Sequence, residues 1–251
     1  MRILAFHAHP DDAEGLAGGT LVLLAAQGHE LTIATMTPGD TGSAEHGPEE
    51  TAAIRRREAT TAAALLGAKY LCAEFRDLAV FNDELSRRRV TEILRRARPE
   101  LVLGAAPEDA QCDHRAAGEL VRDCLYAAAT PNYRTGAPNA ALPLARIPHL
   151  YFTDAPGDVS NPPDFVVDVS AAFPRKQRLV AQHRSQREWL AQFLGVDDPL
   201  ARMERWARQR GATAGCEYGE GFRRCPALGY PREPLLEDLL GADAIRPVVA
   251  G

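Results

Sequence analysis

The sequence predicts an α/β fold: a Rossmann-like, doubly wound, mostly parallel sheet with a C-terminal cap segment. Three observations predict it. Short apolar, partly β-branched runs alternate with amphipathic stretches through the first two-thirds of the 251 residues. Glycines stand where helices should stop. The clusters richest in His and Asp directly follow two of the apolar runs, where an open α/β sheet places its ligands.

In chain order, strands are expected at residues 3–6, 31–37, 70–75 and 101–105, each followed by a helix, at 18–27, 48–66, 82–97 and 115–129. Gly28 and Gly67 serve as C-terminal stops. Residues 131–148, rich in Pro, Gly and Asn, read as a functional loop rather than a linker. Two more strands, 150–153 and 165–169, precede a long helix over 171–193. Beyond Gly195 one helix is expected at 199–210, and residues 215–230 show no clear periodicity. The organisation is a main catalytic domain over 1–194 and a helical or irregular cap over 195–251 packed on it.

At 45% hydrophobic residues the chain can bury a full core, and no apolar run approaches the roughly 18–20 residues that cross a bilayer. Met1 leads straight into the first strand with no room for a signal peptide, so a soluble, cytoplasmic protein is expected. The net charge of -5 is mixed along the chain, and the runs Arg55 to Arg57 and Arg87 to Arg89 lie in helical patterns that also carry acids. That footprint argues against nucleic-acid binding. The five cysteines form no CxxC pair, so free thiols in a reducing compartment are expected. No internal repeat is evident.

After the first strand stands His7-Ala8-His9-Pro10-Asp11-Asp12-Ala13-Glu14. A helix N-terminus favours one acid there but does not account for two histidines and three acids within eight residues. His9 and Asp12, three residues apart at a strand-to-helix turn, can converge on one cation. After the fourth strand, Pro107 to Arg115 repeats the arrangement, with Asp113-His114 at a helix start. A third ligand from here completes a two-histidine, one-carboxylate set with an open position for water; two independently capped helices are the alternative. A nucleotide-binding reading, prompted by Gly15-Leu16-Ala17-Gly18-Gly19, fails because the run lacks the G-x-G-x-x-G spacing and acids precede it.

The sequence resembles the LmbE-like, or PIG-L, family of zinc-dependent N-deacetylases. Ala8 to Glu14, AHPDDAE, is similar to the family's AHPDDE motif with one alanine inserted, and QCDH at Gln111 to His114 is similar to its second motif, usually HPDH. Weaker likeness lies in Arg55 to Glu58, Arg76-Asp77, Pro131-Asn132-Tyr133 and Ala181 to Gln186, so the resemblance runs to about residue 190. It implies His9, Asp12 and His114 as ligands of one zinc ion or another divalent transition metal, and Asp11 as general base. It also implies catalytic support from Gln111 and Asp113, and substrate contacts from Arg55, Asp77, Asn132 and His183. The implied reaction is hydrolysis of the acetamido group of a small N-acylated sugar or glycoside, with homo-oligomers frequent among relatives.

The chain departs from the pattern at Gln111, where the family has a histidine. A glutamine amide donates a hydrogen bond but no proton, so weaker hydrolysis, or a repurposed metal-binding protein, is the competing expectation. Cys112 replaces a proline and reads as a zinc ligand, an oxidation-sensitive neighbour or a small filler. Asp113 either orients a ligand or caps the following helix. His7 either supports the site or fills the core. His183 and Gln186 are expected on a common face of the long helix.

Overall fold

A computed structural model describes residues 1–155, 162–194 and 198–248. Eight strands form one sheet in the order β3-β2-β1-β4-β5-β7-β6-β8. The parallel part comprises β1 (Arg2–His7), β2 (Glu30–Thr35), β3 (Lys69–Cys72), β4 (Leu101–Gly104) and β5 (His149–Thr153). β6 (Phe165–Asp168), β7 (Gly219–Arg224) and β8 (Ile245–Pro247) extend it antiparallel.

The inner strands are continuous apolar runs because both faces are covered. Ile3, Ala5, Leu101 and Leu103 face a core shared with α1 (Asp12–Ala26), α2 (Pro48–Ala64) and α5 (Phe173–Val180). Leu4, Phe6 and Val102 face the opposite core, built on α3 (Glu84–Ala97) and α4 (Cys112–Ala129). From β1 the chain winds outward through β2 and β3, then returns to place β4 on the other side of β1. The crevice of such a sheet opens where the winding reverses, beyond the carboxyl ends of β1 and β4. Both His/Asp clusters lie there.

The strands expected through residue 169 are all present, and Gly28 and Gly67 adopt the left-handed conformation just past α1 and α2. Two helices start earlier than periodicity suggests, inside the polar motifs: α1 at Asp12 and α4 at Cys112. The long helix expected over 171–193 is broken into α5 and α6 (Arg184–Leu194). Its cause is tertiary. Burial of His183 interrupts the helix, and Glu58 of α2 accepts from the Ser185 backbone N–H (2.9 Å) and hydroxyl (2.6 Å), satisfying the restarted helix end.

Beyond residue 194 the chain supplies α7 (Pro199–Ala212), β7, α8 (Leu235–Leu240) and β8. β7 inserts between β5 and β6, so these residues contribute to the sheet as well as covering it. Its N-terminal end is tied to α1 by Glu220, whose carboxylate accepts from the Gly19 and Thr20 backbone N–H groups (both 2.8 Å) and pairs with buried Lys176 (2.7 Å).

Candidate metal centre and cleft

The turn from β1 into α1 is closed by its own acid: the Asp12 carboxylate accepts from the His9 backbone N–H at 2.8 Å. Asp11 at the N-cap has φ 101°, a left-handed conformation that costs a non-glycine residue about 1–3 kcal/mol. That conformation is held from behind. Arg55, 2% exposed, donates to the Pro10 carbonyl at 2.7 Å and to the Gly39 carbonyl at 3.2 Å, and its guanidinium stands 3.7 Å from Asp11 Oδ1. Gly39, at φ 79°, has no room for a Cβ, which would meet the same guanidinium at 2.0 Å. Burial pushes the Asp11 carboxyl up to about 6, against the opposing pull of Arg55.

His9, Asp12 and His114 converge. His9 Nδ1 lies 3.2 Å from His114 Nε2 and 3.6 Å from Asp12 Oδ2, and His114 Nε2 lies 3.5 Å from the same oxygen. Ligands held about 2.0–2.2 Å from a tetrahedral ion stand roughly 3.3–3.6 Å from one another. The three edges therefore match one shared cation. Each imidazole is also oriented from its far side: His9 Nε2 is 3.2 Å from Asp113 Oδ2, and His114 Nδ1 is 3.1 Å from Asp109 Oδ2. A neutral imidazole that spends its single N–H on a carboxylate turns a lone pair to its other side. In that tautomer pair the two lone pairs face each other at 3.2 Å, where a shared metal ion, or a proton in its absence, would bridge them.

The electrostatics run the same way. Burial disfavours the His9 cation, yet hydrogen bonds to Asp113 and Asp12 lift its pKa to about 10. Burial likewise opposes the Asp12 carboxylate, but His114 and His9 hold it well below the usual range. A second grouping, His9 with Asp77 and Asp113, is also close enough to hold an ion. Its carboxylates are more heavily engaged than that of Asp12, which accepts one backbone N–H: Asp77 accepts from the Thr37 and Thr41 hydroxyls and the Thr41 backbone N–H, and Asp113 accepts from the Leu78 N–H at 2.6 Å and the Val80 N–H at 3.4 Å. The first grouping is the better ion site.

The remaining sequence candidates divide. Gln111 is the N-cap residue of α4, with no side-chain capping bond, and its exposed side chain lines the cleft beside His114. Asp113 is buried and both orients His9 and anchors the backbone at Leu78. Cys112 lines the cleft but lies outside both ion-holding groups, with its thiol 3.8 Å from Asp113 Oδ1. Arg55 and Asp77 line the cleft. Asn132 does not: it sits exposed in the turn beyond the far end of the 18-residue α4, roughly 27 Å of helix from Gln111.

His183 lies fully buried beneath the site, 3.2 Å from Glu14 Oε1, while Gln186 in α6 lines the cleft; the helix break separates their faces. His7 is buried against the Thr153 hydroxyl at 3.1 Å, and burial lowers its pKa to about 4, so it is neutral. Asp109 is the residue that sequence reasoning passed over. Its signal was an unassigned acid five residues before His114 in the same loop.

Two cavities, of about 520 and 470 Å³, flank the centre. The first runs toward Trp189 and Phe193 of α6, whose rings stack with centroids 5.0 Å apart. The second runs toward Met203 and Trp206 of α7. These are the chain's two tryptophans.

Fold and site together define a Rossmann-like α/β protein with a two-histidine, one-aspartate cluster at the switch point of its sheet. Residues 4–125 match the family model described as PIG-L: GlcNAc-PI de-N-acetylase. The chain is 28% identical over 233 residues to the diacetylchitobiose deacetylase of Thermococcus kodakarensis, covering 90% of this chain and 84% of that protein. It is 27% identical over 181 residues to the 4-oxalmesaconate hydratase of Pseudomonas putida, covering 69% of each. Among solved structures, the N,N'-diacetylchitobiose deacetylase of Pyrococcus horikoshii in complex with an inhibitor superposes with a TM-score of 0.77 at 27% identity, over 92% of this chain and 86% of that one. No described helix is long and apolar enough to cross a membrane.

Proposed function

We propose that the chain is a metal-dependent hydrolase that removes the acetyl group from an N-acetylated amino sugar or related glycoside, with one zinc ion held by His9, Asp12 and His114. The observation that carries this reading is the facing pair of imidazole nitrogens, 3.2 Å apart and each backed by a carboxylate. The deacetylases among its relatives support the substrate class. Zinc in that cluster would acidify a water toward a pKa of about 7 and polarise the amide carbonyl.

The chain's own residues then do the following. Asp11, raised to about 6 by burial and buttressed by Arg55, takes the proton of the attacking water. As the C–N bond breaks, Asp11 returns that proton to the leaving nitrogen, giving a free amine and acetate. Gln111 donates an amide N–H to the developing oxyanion but cannot deliver a proton. Asp113 and Asp109 keep the imidazoles aimed.

A second reading, a catalytically weak or repurposed metal-binding protein, rests on Gln111 standing where the resembling family has a histidine. The hydratase among the relatives fits it, since water activation alone serves that chemistry. Metal analysis with an amine-release screen over N-acetylated sugars decides between them. We expect one zinc per chain, lost in His9→Ala and His114→Ala; full retention in both would sink the site. Amine release that rises in Gln111→His supports deacetylation limited by the missing proton donor. Bound zinc with no amine release, in wild type or Gln111→His, selects the second reading.

A further inference from the structure

We propose that this cleft also hydrolyses acyl esters of phenols, releasing a phenol and a carboxylate, and that Gln111 favours this reaction over cleavage of an amide. It rests on the water-activating machinery of the deacetylase reading above.

The first argument is the supply of proton donors. The chain has seven histidines. His9 and His114 belong to the ion-holding group. His7 and His183 are fully buried, against Thr153 and Glu14. His29 stands beside the N-terminal amine, His46 pairs with Glu50, and His149 opens β5 at the amino end of the parallel strands, away from the cleft. Among the described residues no lysine or tyrosine lines either cavity, and an arginine does not give up its proton. The Cys112 thiol is turned to Asp113, and the carboxylates of Asp77, Asp109 and Asp113 are held by threonines or imidazoles. Asp11 is left as the acid–base group of the cleft. Gln111 lines both cavities with His114, makes no capping bond, and has only a hydrogen bond to donate.

The second argument is the leaving group. An amide nitrogen departs only once protonated, because an amine is a far weaker acid than water. A phenol, with a pKa of about 10 like the tyrosine side chain, departs as its anion. In the ester reaction the water oxygen bonds to the acyl carbon as Asp11 takes one proton. The C–O bond to the aryl group then breaks, and its electron pair leaves with the aryloxide. Asp11, whose side chain is 23% exposed, sheds its proton to solvent. No second proton transfer inside the cleft is needed, and the one contribution left to Gln111, an N–H to the oxyanion, is the one this reaction uses.

The walls suit an aromatic leaving group. Trp189 and Phe193, stacked with centroids 5.0 Å apart, line one cavity, and Trp206 with Met203 lines the other. A phenyl ring seats against such faces without a charged partner.

The test follows zinc-loaded protein along a series of rising leaving-group basicity: 4-nitrophenyl, phenyl and ethyl acetates, then phenyl N-acetylglucosaminide. In the wild type kcat/KM should fall in that order. Gln111→His should change aryl ester turnover by less than about threefold and raise amine release roughly tenfold or more, a part of what a positioned general acid contributes, with ethyl acetate between. Gln111→Ala should lower ester and amide turnover alike, by removing the oxyanion N–H. Asp11→Asn should abolish aryl ester turnover at full zinc occupancy, and metal analysis of every variant separates lost chemistry from a lost ion.

Where amine is released, an equal response of ester and amide to Gln111→His overturns the proposal and leaves deacetylation standing. Aryl ester turnover that survives Asp11→Asn does the same. Aryl ester turnover lost in Asp11→Asn, with no amine released by wild type or Gln111→His, upholds the ester reaction and overturns amide hydrolysis. No turnover of any substrate overturns both.

Discussion

The floor of the cleft and its walls are built on opposite terms. The floor comes from the loops after β1 and β4, where His9, His114, Asp113 and Asp11 are each fixed by a second side chain or a backbone bond. The walls come from α6 and α7, where Phe193 is 67% exposed and Arg202 has no side-chain partner among the described residues. Chemistry that depends on ångström placement sits on the hydrogen-bonded sheet, and recognition is left to helices that can vary without disturbing it.

The largest effect that sharpens this contrast should come from Asp11→Asn. Asparagine tolerates the left-handed conformation at φ 101°, so the fold and the neighbouring ligands should persist. Losing the base should cut kcat roughly 10²–10⁴-fold with zinc retained. Loss of zinc together with activity would mean that Asp11 belongs to the ligand set, and the floor would need to be redrawn.

Next comes the seam between the halves. Glu220 of β7 holds α1 through two backbone N–H groups and neutralises Lys176, and both side chains are almost fully buried. Glu220→Ala leaves an unpaired buried ammonium and unsatisfied helix donors, which typically costs about 3–5 kcal/mol. Equilibrium denaturation checks this. A cost under about 1 kcal/mol would show that the β5–β7 ladder and apolar packing hold the two parts together without this polar tie.

Smaller again are the carboxylates behind the imidazoles. Asp109→Asn and Asp113→Asn should each weaken zinc binding roughly 10–100-fold by releasing His114 and His9 from their tautomers. Competition with a chromophoric chelator measures this. Asp113 should cost more, because it also anchors the Leu78 N–H at 2.6 Å. The reverse order would place the critical orientation on α4 rather than on β1.

The floor was legible in the sequence and the walls were not, for physical reasons. β1 and β4 are buried on both faces, so burial imposes continuous apolar runs, and the polar loops after them stand out against that background. β7 reads GEGFRR, a poor strand by composition. Its glycines are dictated by contacts from elsewhere: a Cβ at Gly219 would meet Val166 at 2.5 Å, and one at Gly221 would meet Asp154 at 2.9 Å. Its buried charge belongs to a helix 44 residues upstream. Asn132 matched a local pattern that the length of α4 carries away from the cleft. Asp109 was visible as an acid but not as a partner, because only folding brings it against His114.

The break between α5 and α6 has the same origin, and it offers the mildest test of the contrast. No Gly or Pro marks residues 181–183; the helix restarts because Glu58, on α2, satisfies Ser185. Glu58→Ala removes a capping carboxylate, worth about 0.5–2 kcal/mol of stability. Since α6 carries Gln186, Trp189 and Phe193 into the cleft while the metal ligands sit on other elements, the wall should loosen and the floor should not. KM for N-acetylated glycosides should rise a few-fold, with kcat and zinc content nearly unchanged. Steady-state kinetics beside metal analysis separate the outcomes: a fall in kcat at full zinc occupancy would show that α6 positions the reacting atoms, and the division between floor and walls would fail.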